Sequence, residues 1–534
     1  MPAGTAPAAA PPTASLATRS LRGGAWQGGA MACQAVVQLV VLAVLARYVS
    51  PTGFGLAAIA TMVSGFTAFL SQAGLGAALI QRKAVTDRQV RVAFTTSVLL
   101  GATAFGVIWL LAPFIARYFS SPAARDVIRG SALAILFTGF GIVARSLLAR
   151  DLRFRALAKV DVIAVVIAHC AVSIPMAVAG FGAWSVVAGQ VVQALLSTVG
   201  ALLVTRHTVS PLLGRTELRE LTGFGSALTA AQLLNYAAHQ LDYLVIGRRL
   251  GTTPLGLYER AFRLMQVPGY LLGEVLDRVM FPIMCKLQDR ARTIGLVYVR
   301  LLGAAVTVLG PTAIVMIVLA PEIVVVVLGR KWMTAVLPFQ ILMLSVPTRI
   351  CVRLSDSLVR AIGAVGRSAT RKAALAASVL AGAWVGSHWG IVGVATGVAG
   401  AFFLNFVLMC SLGLGLVQRG WGEMLWHQRH NVLLGVVTLA AVGGAKLLAL
   451  QVTSSSAVVL AAGTLGAGVA LAAVVVAFPR ILGVGGLWLL GEIATSAGLR
   501  ARLSPRFRAL LDEAALTETQ PRGMPPLPLG EVVP

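Results

Sequence analysis

Asn235, His239 and Asp242 stand at i, i+4 and i+7 of one apolar stretch, the spacing that puts side chains on a single helical face. An amide, an imidazole and a carboxylate so arranged offer a place for a proton or a small cation. The next apolar stretch is richer in charge, with Glu259, Arg260, Arg263, Glu274, Asp277 and Arg278. Glu259 with Arg263, and Glu274 with Arg278, are set one turn apart for ion pairs. That leaves Arg260 and Asp277 without a local partner, and a guanidinium in such a place calls for an anionic ligand or an acid on a neighbouring helix. Arg353, Asp356 and Arg360 repeat the theme at spacings of three and four, where a solvated cytoplasmic loop explains them equally well. A first apolar stretch carries Gln34 and Gln38 on a comparable face. Two such faces suggest a shared water-filled cavity, or else a pair of interhelical hydrogen-bond contacts.

The elements that must position these residues are membrane helices. Hydrophobic residues make up 57% of the 534 and charged residues 12%, with a mean hydropathy of +0.85. A soluble domain cannot cover its surface with so few charges. One apolar run of about 20 residues follows another, which is the length that crosses a bilayer as a helix. The runs do not alternate as barrel strands would. Fourteen spans are predicted, near 24–46, 55–80, 92–116, 128–149, 156–179, 183–205, 221–247, 255–280, 294–319, 333–348, 370–388, 391–416, 431–450 and 456–478. For the tenth, Ile323 to Leu328 competes with Trp332 to Val346.

Charge orients the helices. With the N-terminus inside, the flank and even-numbered loops hold 26 Lys and Arg, and the odd-numbered loops hold 8. The net charge of +25 is therefore a topology signal, and no concentrated basic face of a soluble domain points to nucleic acid. Both termini are expected in the cytoplasm. Residues 1–18 read as a disordered lead. Residues 480–534 form a basic, Pro-rich tail, in which Leu487 to Leu490 and Arg500, Arg502, Arg506 and Arg508 fit either a segment on the inner leaflet or a solvated end.

The chain also repeats itself. Arg47, Thr52, Gly55 and Leu56 recur as Arg248, Thr253, Gly256 and Leu257, each 201 positions on, and Gln34 and Gln38 align with Asn235 and His239. Six helices separate the copies, so both cross the membrane in the same direction and the repeat is parallel. The expected architecture is an all-α polytopic membrane protein. It has a six-helix N-lobe over 19–206, a six-helix C-lobe over 207–416 and two further helices over 417–479, with a central cavity where the lobes meet. The copies differ in chemistry: His239, Asp242, Arg260 and Arg263 replace Gln38, Val41, Ile59 and Met62, so the second half is expected to handle charge.

Enzyme signatures are absent. There is no G-x-x-x-x-G-K-[ST], no H-E-x-x-H, no G-x-S-x-G and no D-x-D. The outside loops are too short for a catalytic domain. Five scattered cysteines and six scattered histidines indicate neither a disulfide framework nor a metal site, and no cofactor is expected.

Four local patterns carry a family resemblance: Arg47 to Leu56; Leu79-Ile80-Gln81-Arg82; Arg150 to Ala158; and Phe281-Pro282 followed by Leu287-Gln288-Asp289. In this order, across roughly residues 20–480, the chain resembles the Wzx-type polysaccharide flippases of the MOP superfamily, in the colanic-acid-exporter-like branch. It departs from them at Met284-Cys285-Lys286, where a more Ser-containing stretch is the pattern. The resemblance implies a transporter of the bacterial inner membrane that flips undecaprenyl-diphosphate-linked oligosaccharides by alternating access, driven by an ion gradient or the membrane potential. Membrane lipids, a polysaccharide polymerase and a co-polymerase would be its partners. Arg22, Gln34, Gln38, Asn235, Arg260, Arg263, Arg353 and Arg360 are then candidates for the cavity and the pyrophosphate, and His239, Asp242, Asp277 and Asp356 for the coupling ion. A lipid II flippase is the near alternative. A drug/cation antiporter of the same superfamily fits less well, because its cavity would be acidic and aromatic.

Overall fold

The first helix, α1 (Val36–Tyr48), hands over to α2 (Pro51–Gln72) through the Ser50-Pro51 step, where the proline lacks the N–H that a first helical position does not need. This is a computed structural model, and it describes residues 33–496 except 35, 73, 83–84, 207, 218, 220–232, 234–235 and 287–290. Helices α3 (Leu75–Gln81), α4 (Asp87–Tyr118) and α5 (Pro122–Arg150) follow. Helix α4 starts at a capping box: Thr86 Oγ1 accepts from the Gln89 N–H, and Gln89 Oε1 accepts from the Thr86 N–H. Next come α6 (Phe154–Ile167), a π-turn at Ala168–Ser173, α7 (Ile174–Val178) and α8 (Ala183–Thr205).

The second half contains α9 (Leu241–Arg249), α10 (Thr252–Lys286), α11 (Ala291–Val318) and α12 (Ala320–Val327). Beyond these lie α13 (Val336–Met343), α14 (Val346–Ala361), α15 (Val365–Gly386), α16 (Gly390–Leu416), α17 (Trp421–Val452), α18 (Ser456–Ala477) and α19 (Gly483–Ser496). No strand occurs among the described residues. Eight stretches among them are long and apolar enough to cross a membrane, nine with one bent pair counted as a single span. One of the eight, Gly366–Leu416, is in fact a hairpin of α15 and α16. The chain is a multi-pass membrane protein, and its helices are consistent with fourteen spans.

Small residues bring helices together where lipid supplies no hydrophobic drive. In the α15–α16 hairpin, Gly382 and Gly386 face Gly397 and Gly393, and a Cβ on any of the four would strike the opposing backbone. The repeat signature has the same explanation. Thr52 and Thr253 share a hydroxyl hydrogen bond of 2.7 Å. A Cβ at Gly55 would collide with the Thr252 carbonyl oxygen, and one at Gly256 with the Pro51 carbonyl oxygen. Thr252 is the repeat equivalent of Pro51, so the contact is reciprocal about a local twofold. The two copies recur in sequence because their helix starts lie against each other.

The chain forms two compact units: one of residues 1–240 and 251–256, the other of 241–250 and 257–534. The first unit is held by α4 and α8 packed on α5, with Leu79, Ala93, Phe94 and Val143 in one apolar cluster. In the second, Lys446 of α17 donates to Glu322 Oε2 (3.0 Å) and to the Val318 carbonyl (2.8 Å). Helix α19 packs against α11, with Gly485 close to the Arg300 carbonyl, and Leu487 joins Leu434, Ile481 and Leu482. The described start of the tail is thus anchored to the bundle, and Arg500 to Arg508 lie outside the described residues.

Two predicted elements differ from those observed. The tenth span is longer than 333–348: a 3-10 turn at Arg330–Ala335 leads through α13 to α14, and the pair is bent by 44°. Pro347 causes the break, since it has no N–H for the Met343 carbonyl and its ring crowds that oxygen. The seventh stretch is also not one continuous helix. His239 and Gln240 form a tight turn closed by i→i+3 bonds to Tyr236 and Ala237, and α9 restarts at Leu241. His239 and Asp242 therefore do not share an unbroken helical face.

Candidate functional site

Charge in the second unit gathers around α9, α10 and α14. Asp242, in the first turn of α9, is 1% exposed. Tyr258 donates its hydroxyl to Oδ2 (2.8 Å), and the Tyr243 backbone N–H donates to Oδ1 (3.0 Å). Both oxygens are thus engaged. The three rings of Tyr243, Tyr258 and Phe262 lie 6.0–6.1 Å apart and wall off this carboxylate.

One residue after Tyr258, Glu259 is 3% exposed and bridges two arginines. Its Oε1 accepts from Arg263 Nε at 2.8 Å, one turn away, and its Oε2 accepts from Arg260. The expectation of an unpartnered Arg260 is therefore corrected. The carboxylate has two oxygens, and a rotamer that gives one to Arg263 leaves the other beside Arg260. Arg260, 8% exposed, belongs to this structural triad. Arg263 keeps about half of its side chain accessible.

Two arginines without a carboxylate within ion-pair distance among the described residues stand on α14. Helix α14 buries Ile350, Cys351, Leu354, Ser355, Leu358 and Val359 on one side and carries Arg349, Arg353, Asp356 and Arg360 on the other, at i, i+4, i+7 and i+11. A tenth span ending at 348 leaves out Arg349, and its i, i+4 spacing to Arg353 is the signal in the sequence that could have found it. Arg349 is stacked 4.4 Å from the Phe402 ring centroid and 5.5 Å from that of Phe262, and it reaches the Met265 sulfur at 3.4 Å. Aromatic faces of this kind hold a guanidinium flat without neutralising it. Among the described residues, neither Arg349 nor Arg353 has a carboxylate within ion-pair distance. Both are half-buried. Two like charges one turn apart repel, and a dianionic group placed between them would relieve that repulsion with bidentate, charge-assisted hydrogen bonds.

The far end of α14 has a carboxylate of its own. Asp356 pairs with Arg360 (3.7 Å) and Lys372 (3.2 Å) and accepts from Ser368 Oγ (3.0 Å). Arg360 also donates to Ser357 Oγ (3.0 Å). These residues tie α14 to α15 and are not in a solvated loop. Of the remaining candidates, Gln34 and Gln38 are helical, with Gln38 exposed. Arg22 and Asn235 lie outside the described residues, as does the side chain of Asp277. No group of three potential metal ligands occurs among the described residues.

Comparison with known proteins supplies a context for this arrangement. Residues 44–337 match the family described as polysaccharide biosynthesis protein. An uncharacterized membrane protein in the cps region of Klebsiella pneumoniae is 26% identical over 321 residues, 60% of this chain and 66% of that one. The teichuronic acid biosynthesis protein TuaB of Bacillus subtilis (strain 168) is 24% identical, over 62% of this chain and 69% of its own. The lipopolysaccharide biosynthesis protein WzxC of Escherichia coli (strain K12) is 26% identical, over 57% and 62%. The chain thus spans about two thirds of the length of the curated relatives it matches. Among solved structures, the lipid II flippase MurJ in an inward closed conformation aligns with a TM-score of 0.68 at 11% identity, covering 85% of this chain and 99% of that one. An inward-facing MATE multidrug resistance transporter of the MOP superfamily gives 0.58 at 15% identity, over 72% and 94%. These two likenesses are of fold.

Proposed function

Because the chain belongs to the polysaccharide biosynthesis protein family, we propose that it carries diphosphate-linked, lipid-anchored saccharides across the bacterial inner membrane for assembly into surface polysaccharide. The observation that carries this reading is the pair Arg349 and Arg353, two guanidiniums without carboxylates among the described residues, inside a bent membrane span. A hydrophilic glycan and its diphosphate cannot enter hydrocarbon unaided, whereas a polyprenyl tail is at home there. The protein need only shelter the head group. The two arginines on α14 would receive the diphosphate, with Arg263 on α10 as a third cation. Each charge-assisted hydrogen bond contributes roughly 1.5–3 kcal/mol.

The chain acts here as a transporter, and the named side chains serve it by binding charge. Both termini are cytoplasmic, following the bias of Lys and Arg in the loops. A polysaccharide polymerase working on the far side would consume the product and draw the reaction forward.

The test is reconstitution. Purified protein in vesicles should make an inner-leaflet prenyl-diphosphate saccharide accessible to an enzyme added outside, and deletion of the gene should remove surface polysaccharide while the lipid-linked unit accumulates. Vesicles that translocate no such lipid under any imposed gradient, together with normal surface polysaccharide in the deletion strain, would reject the reading.

A further inference from the structure

The first unit contains a polar line that no charge interrupts, and it ends on a histidine at mid-span. Helix α6 runs from Phe154, and α7 ends at Val178, so His169 falls near the middle of a 25-residue span. It sits in the π-turn Ala168–Ser173. Pro175 imposes this turn, since it has no N–H for the Ala171 carbonyl and the ladder must widen to pass it. The wider turn brings Ser173 Oγ to 3.1 Å from His169 Nδ1. Gly189 of α8 leaves room for that pair: a Cβ there would collide with Ser173 Oγ and come 3.1 Å from Nδ1.

Helix α8 continues the line. Gln193 is a further polar neighbour of the imidazole, and Gln190, one turn before it, exchanges hydrogen bonds of 3.0 and 3.3 Å with Thr61 of α2. Ser64, one turn beyond Thr61, bonds Ser131 of α5 at 2.8 Å. The described groups facing His169 are all neutral. Helices α7 and α8 have no ionisable side chain. The nearest on α6 are Lys159 and Asp161, and Asp161 is held by Arg145 through Oδ2 at 3.0 Å. Eight residues of helix put Asp161 about 12 Å along the axis from His169. An imidazole held in that setting by neutral groups alone, Ser173 and Gln193, is costly to place inside a membrane unless its charge change is used.

We propose that His169 is the proton-binding residue of this transporter, taking a proton at the imidazole nitrogen not turned to Ser173 and returning it on the other side of the membrane. The inference rests on the transport reading above. It moves the coupling ion from the second unit, where Asp242 and Asp356 are already engaged, to the first. Gln193, Gln190, Thr61, Ser64 and Ser131 would line the route with polar groups that hold the water through which the proton exchanges.

Two measurements on the full-length protein in nanodiscs and vesicles test it. With 15N-labelled histidine, the resonance that disappears in His169→Asn should titrate within the range histidine covers, about pH 5–8. His207, His239, His388, His427 and His430 remain as internal references. Ser173→Ala should shift that midpoint without abolishing it. In vesicles, an imposed pH gradient should accelerate translocation by the wild type several-fold and leave His169→Asn unmoved, although the variant melts at the wild-type temperature. An imidazole that stays neutral from pH 5 to 8 overturns the proposal, as does a His169→Asn protein that still responds to the gradient. Absence of any translocation by the wild type would instead count against the transport reading, and the titration would still judge His169 by itself.

Discussion

Helices α2 and α10 share Thr, Gly and Leu in their first turns, at 52, 55 and 56 and at 253, 256 and 257, and then build opposite interiors. After Gly55, α2 presents Thr61 and Ser64 to neutral partners, Gln190 and Ser131. After Gly256, α10 presents Tyr258, Glu259, Arg260 and Arg263 to Asp242 and to one another. The repeat offset pairs Ile59 with Arg260, Met62 with Arg263 and Thr61 with Phe262. The shared part is backbone: the reciprocal approach of Gly55 and Gly256 fixes where the two helices start. The divergent part is what each interior can hold. A line of hydroxyls and amides can hold the water that passes a proton but has no charge with which to grip an anion. A set of guanidiniums can grip an anion but would repel a second cation. The two functions are best served by different halves of the chain.

That contrast can be broken at several points. The largest effect is expected from Arg349→Ala with Arg353→Ala. Losing two charge-assisted contacts of roughly 1.5–3 kcal/mol each should lower translocation by about a hundredfold or more. Thermal stability should hold or rise, because a like-charged pair is removed. A double variant that translocates normally would separate α14 from the substrate. Glu259→Gln is expected to be the most destabilising single change. It removes the buried carboxylate that Arg260 and Arg263 share, at a cost of about 3–5 kcal/mol. A melting temperature close to wild type would show that this shared carboxylate does not hold α10 in place.

A smaller loss is expected for Gly55→Ala, about 1–3 kcal/mol for forcing a methyl into the Thr252 carbonyl. Gly256→Ala should match it, and unequal losses would argue against a reciprocal contact. The smallest belongs to the neutral half. Gln190→Leu should cost about 0.6 kcal/mol, the usual worth of an interhelical hydrogen bond in a membrane, while still slowing proton-driven translocation. If Gln190→Leu destabilised as much as Glu259→Gln, the distinction between the halves would fail.

The all-helical, multi-pass character is legible in the sequence, because a bilayer sets the length of an apolar run, whereas the breaks in the seventh and tenth stretches are not. The site is legible only in part. Asp242, expected on a face with Asn235 and His239, is held instead by Tyr258. The pair of Glu259 with Arg263 can be placed from spacing alone. The pairing of Arg260 cannot, because intrahelical spacing shows which residues can meet one turn apart and says nothing of a carboxylate shared between neighbours. Arg349 escapes because Pro347 marks a break, and in a sequence a break reads as an end. His169 escapes because one histidine among apolar residues carries no pattern. It becomes informative only through the π-turn, Ser173 and Gly189.

By itself, then, the sequence determined a multi-pass helical protein built on a repeat, with more charge inside the predicted spans of its second half. Hydropathy and register are properties of the chain, and a membrane enforces both. Tertiary structure decided which charges cancel. Pairing depends on rotamers and on which helix lies opposite, so Arg260 shares the carboxylate of its own neighbour, while Arg349, held between Phe262 and Phe402, has no carboxylate within ion-pair distance among the described residues.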